Sequence, residues 1–87
     1  MNTEQAIILF EDTLKELVKR DEVTQLTKLL VENVIKGRLK LSRYNQIIEQ
    51  MMLSENEETA KDIAIKTIEI IDIKLLQTYY YDDRYLY

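Results

Sequence analysis

Apolar residues recur at helical spacing along most of this chain. Ile7, Phe10, Leu14 and Leu17 follow one another at steps of three and four, which on a 3.6-residue period forms one stripe. On the polar side, Glu11 to Lys15 and Glu16 to Arg20 are favourable i,i+4 pairs. Asn2 is placed to cap this helix while Gln5 reaches back to it, the spacing of a capping box. In VKRDEV the charge changes sign: Lys19 and Arg20 suit a helix carboxyl end, and Asp21 and Glu22 suit the amino end of the next helix. No glycine or proline enforces a break there, so one long helix through residue 36 stays open; the charge switch favours two helices.

The second helix is expected to turn Val23, Leu26, Leu30 and Val34 inward, with Leu29, Val31 and Ile35 broadening that face. Gly37, the single glycine, supplies the left-handed residue that commonly closes a helix. After the basic connector RLKL, Ser42 is a candidate cap for a third helix carrying Tyr44, Ile47, Ile48 and Met51. SENE at 54–57 reads as a second capping box from Ser54 to Glu57, with Glu55, Glu57 and Glu58 where a helix dipole favours negative charge. In IAIKTIEIIDIKLL, β-branched residues and local alternation would suit a strand. The apolar pattern nevertheless continues from Ala60 to Leu76, too far for a strand, so a helix is expected. Ala64, Ile68, Ile71 and Leu75 form its main stripe. Ile63 and Ile70 lie to one side, and Ile65, Ile73 and Leu76 well round the other way.

The expected fold is therefore all-α: one domain over 1–87, a small three- or four-helix bundle with the long C-terminal helix central. Helices are expected near 3–20, 22–36, 42–53 and 55–81. An 87-residue chain hides only about 60–65% of the surface it exposes when unfolded. A helix apolar around so much of its girth must then be central or meet another copy.

Composition narrows the chemistry. The chain has no cysteine and no histidine, which removes disulfides, thiolate sites, imidazole ligands and Ser-His catalysis. Both serines read as caps, and the carboxylates Glu11, Asp12 and Glu16 read as a solvated helix face, so no enzyme, cofactor or metal site is expected. One isolated glycine is too few for a nucleotide cradle. Ahead of the five-residue run AIILF lies Glu4 and no basic stretch, so neither an export signal nor a membrane span is expected, and a cytoplasmic protein is.

Net charge is −4, concentrated in residues 54–87, where eight acids face four bases. Such a chain gains little from counterion release on nucleic acid. The exception is local: Lys36, Arg38, Lys40 and Arg43 place four cations between two helices beside Gly37. A helix-turn-helix built on that glycine would want small or branched apolar residues where Asn33, Arg43 and Gln46 stand. A small DNA-binding regulator using 36–43 is thus the alternative reading.

Five of six tyrosines fall in the last nine positions, YYYDDRYLY. Consecutive rings on a helix point about 100° apart, so Tyr79, Tyr80 and Tyr81 cannot share one core stripe. Tyr81 and Tyr85 are placed to stack, and Arg84 lies beside Tyr80. Tyrosine is enriched at interface centres because its ring buries while its hydroxyl stays wet. The expectation is a non-enzymatic interaction module, self-associating as a homodimer, that binds and modulates a protein partner. Its contact surface would comprise Ile63, Ile70, Ile73, Leu76, Tyr79, Tyr80, Tyr81, Arg84, Tyr85 and Tyr87. In size, helix count and acidity the chain is similar to small helical inhibitors made by phages.

Overall fold

Four helices form in a computed structural model of the chain: α1 (Thr3–Lys19), α2 (Gln25–Ile35), α3 (Tyr44–Leu53) and α4 (Glu57–Tyr85). The structure describes the backbone of residues 1–40 and 43–85, and side chains of the same stretches as far as Gln77. No strand occurs among the described residues.

The caps follow the local chemistry, with two shifts from expectation. Asn2 Oδ1 accepts from the Gln5 amide at 2.8 Å and the Asn2 amide donates to Gln5 Oε1 at 3.0 Å, so the capping box is complete. The break between α1 and α2 is real. Asp21 takes a left-handed conformation (φ 63°), and the Glu22 amide donates to Leu17 O while the Asp21 amide donates to Val18 O. That wraps the helix end in the double turn usual for glycine, and aspartate is among the few other residues that tolerate it. The acids therefore finish the turn and do not start the next helix. α2 begins instead behind Thr24, whose hydroxyl accepts from the Thr27 amide at 3.3 Å. Gly37 closes α2 at φ 77° as expected; a Cβ there would meet nothing within 4 Å, so conformation and not space requires the glycine.

The second shift is at SENE. Ser54 ends α3, its hydroxyl donating to Gln50 O at 2.9 Å, and Asn56 caps α4 by accepting from the Thr59 amide at 2.8 Å. Asparagine caps as well as serine, and this division lets each residue serve one helix. Ser42 lies outside the described residues, and Arg43 at the cap position of α3 makes no side-chain capping bond.

Contacts fix how the helices run. Glu57 shares a depression with Gln5, Leu9 and Asp12, and further along both helices Glu16 meets Lys61 at 2.9 Å, so α1 is parallel to α4. Phe10 packs on Tyr44, and the Thr3 hydroxyl donates to the Met52 sulfur at 3.4 Å, so α3 runs the other way. α4 touches all three other helices, as its girth required, and α1 shares that central place. Between them Phe10, Leu14, Met51 and Ile68 are fully buried. Ala6, Ala60 and Ala64, with no exposure at all, keep the backbones close. Phe10 and Tyr44 meet edge to face, 5.8 Å apart at 75°. The Tyr44 hydroxyl is buried without a hydrogen-bond partner, and burial, with the Glu11 charge behind it, pushes its phenol up.

The inward face of α2 is only partly the one its spacing suggested: Val23, Val31 and Val34 are buried as expected, but Thr27 is buried where leucines were expected. Leu26 and Leu29 are 39% and 57% exposed. A polar contact sets this roll. Asp72 Oδ1, on a side chain only 8% exposed, accepts from the Thr27 hydroxyl at 2.6 Å, the Thr24 amide at 3.0 Å and the Thr24 hydroxyl at 3.1 Å. The carboxylate also sits at the amino end of α2, where the helix dipole favours it. Burial pushes the Asp72 carboxyl up, but the Thr24 amide and the two hydroxyls outweigh it and hold it below its ordinary value.

Two consequences are measurable by urea unfolding. Tyr44→Phe removes a desolvated hydroxyl with no partner and stabilises the fold by about 1 kcal/mol. Asp72→Ala strands buried donors and costs about 2–3 kcal/mol. Because the folded Asp72 pKa is depressed, its contribution is full above the unfolded carboxyl value near ~4 and is lost as pH falls through the lower folded value. Asp72→Asn therefore flattens the acid limb of the stability curve relative to the wild type.

Candidate functional site

α3 and α4 pack antiparallel across a short turn, and their outer edges do not close. Between them lies a groove of about 690 Å³. Gln46, Ile47 and Gln50 of α3 form one wall and Thr67, Ile70 and Ile71 of α4 the other, with Arg43 and Lys74 together at one end. The Thr67 hydroxyl donates to Ile63 O at 2.8 Å, so it is used within its own helix and leaves its methyl group for the groove. The floor is thus isoleucine, the walls carry two amides, and the charged residues among the described lining are Arg43 and Lys74. A smaller depression of about 360 Å³, with Met1, Gln5, Ile8, Leu9, Asp12 and Glu57 around it, has the opposite charge.

The expected contact residues divide. Ile70 and Ile73 are 52% and 53% exposed, one turn apart along α4. Ile63 packs half-buried against the core, and Leu76 is half-buried. The side chains of Tyr79, Tyr80, Tyr81, Arg84 and Tyr85, and the whole of Tyr87, lie outside the described residues. Of the basic set, Lys36, Arg38 and Lys40 are exposed on the connector after α2, whereas Arg43 belongs with Lys74 at the groove. That connector spans eight residues between Ile35 and Tyr44, against the three or four of a helix-turn-helix turn.

Gln46, Gln50, Thr67 and Lys74 were not singled out from sequence. The turn between α3 and α4 is the signal that could have found them, since it fixes which positions face each other. Among the described residues no three carboxylates gather where they could hold a metal ion, and no helix is long and apolar enough to cross a membrane. Asp72 already has three protein donors. Glu16 is held below the usual carboxylate range by its hydrogen bond from Lys61 and the Arg20 charge, both ends of a surface strut between α1 and α4.

The chain matches no protein-family model, and no curated protein or solved structure matches it significantly.

The exposed isoleucines differ in kind from those of the core. At submicromolar concentration, Ile70→Ser and Ile73→Ser leave unfolding free energy within about 0.5 kcal/mol of wild type. Ile68→Ala, at a fully buried site, costs about 2–4 kcal/mol. Chemical denaturation of the three variants side by side checks the contrast.

Proposed function

We propose that this protein is a non-enzymatic protein–protein interaction module of the cytoplasm that self-associates through α4 and binds and modulates a protein partner. The observation that carries this reading is the pair Ile70 and Ile73. The helix that anchors the bundle leaves two β-branched residues about half exposed, beside a groove with an apolar floor. Isolated surface leucines need no explanation, but adjoining isoleucines that continue into an open groove form a patch of the kind that marks contact sites. Composition agrees: without histidine or cysteine, the residue types that most often perform nucleophilic or metal chemistry are missing, and absence of cysteine suits a reducing compartment.

Self-association is expected in the micromolar range, since the face is small by the standard of stable interfaces. Sedimentation velocity from about 1 to 100 μM tests it: the weight-average coefficient rises toward that of a dimer, and Ile70→Ser together with Ile73→Ser holds it at the monomer value. A wild-type chain that stays monomeric over the whole range overturns the reading.

A further inference from the structure

The helices differ in what ties them to the bundle. α1, α3 and α4 share one cluster of sealed side chains, among them Phe10, Met51, Ala64 and Ile68, and Phe10 also meets Tyr44 edge to face. α2 stands beside that cluster, against α1 and α4. Val31 joins it, but Val34 is buried outside it and Thr27 is polar. The outer face of α2 keeps Leu26 and Leu29 in solvent. What holds α2 on α4 is directional: the Thr24 amide and the Thr24 and Thr27 hydroxyls all donate to one oxygen of Asp72.

The local sequence suits α2 to leave as a piece. Left-handed residues, Asp21 before it and Gly37 after it, turn the chain on both sides, so no neighbouring helix need follow. Eleven residues make a marginal helix in water without packing. Its β-branched Thr27, Val31, Val34 and Ile35 weaken it further, so once off the bundle it melts.

We infer that α2 is a strap that opens as a unit while α1, α3 and α4 stay folded, with Asp72 as its catch. Proteins open in cooperative segments at free energies below that of global unfolding. Here the three bonds share one acceptor, so lifting the first turn of α2 releases them together. Opening uncovers the sides of α1 and α4 against which Val31 and Val34 pack. The bundle thereby gains a transient apolar face, separate from the groove between α3 and α4 and independent of self-association.

Amide hydrogen exchange of the intact chain in low urea separates strap from bundle. Amides of α2 are expected to exchange at least about tenfold faster, relative to their intrinsic rates, than those of Phe10, Leu14 and Ile68. Their urea dependence is also smaller, because opening exposes less surface than unfolding. Ile48→Val, in the buried face of α3, speeds exchange in α1, α3 and α4 about three- to tenfold and leaves α2 unchanged. Asp72→Ala speeds exchange of α2 at least about tenfold, and Thr27→Val, which keeps the shape of the site, speeds it less. Because the chain has no cysteine, Val34→Cys reports the same opening through its reaction with a thiol reagent. That labelling accelerates with Asp72→Ala and not with Ile48→Val.

An α2 that matches α1 and α4 in exchange and urea dependence, and that Ile48→Val accelerates equally, overturns the strap. An α2 that opens alone but is unmoved by both Asp72→Ala and Thr27→Val overturns the catch.

Discussion

The carboxylate of Asp72 decides how α2 lies on the rest of the molecule. Three donors from one turn of α2 converge on a single oxygen, and a charge that shielded from water is tolerable only while they do. Hydrophobic burial is nondirectional and would accept α2 in more than one roll, since leucines occupy both sides of it. The hydrogen bonds are directional. They select the roll that buries Thr27, Val31 and Val34 and leave Leu26 and Leu29 at the surface. Here a polar contact supplies uniqueness where greasy area alone would leave a choice.

That contact also marks where sequence reading stopped. The helices themselves were legible. Charge reversal at 19–22 located the first break, Gly37 the second, and the length of the apolar run from Ala60 to Leu76 settled helix over strand. Phe10, Leu14 and Leu17 came directly from spacing. What spacing could not show was the partner across forty-five residues. Thr27 and Asp72 look like surface residues until the fold places them together, and pattern reading then credits the nearest leucines with their place. The shifted caps have a related cause: near a helix boundary several residues can each accept the first free amides, and the neighbouring helix decides which one is spared. Of the candidate surface, the excess of isoleucine on α4 was visible at once. The groove was not, because it is a property of two helices in register.

α4 carries two duties with different demands. Over its first four turns small residues, Ala60 and Ala64, let it approach α1 and α3 closely, and Ile68 fills the space beyond. Farther along, α3 has ended and the apolar pattern has not. A chain of this size cannot wrap so long a helix completely. Its backbone satisfies its own hydrogen bonds whatever covers its sides, so the helix can continue where the bundle does not.

Because α1 lies parallel to α4 and takes much of its covering from it, α1 is covered by residues made much later in the chain. Ala6, Phe10 and Leu14 are sealed only once Ala60 to Ile68 have arrived, and α2 has no carboxylate to seat against until Asp72 is made. The bundle therefore closes only after α4 has been made. A chain cut short within α4 would leave the stripe of α1 bare, a ready substrate for chaperones and proteases.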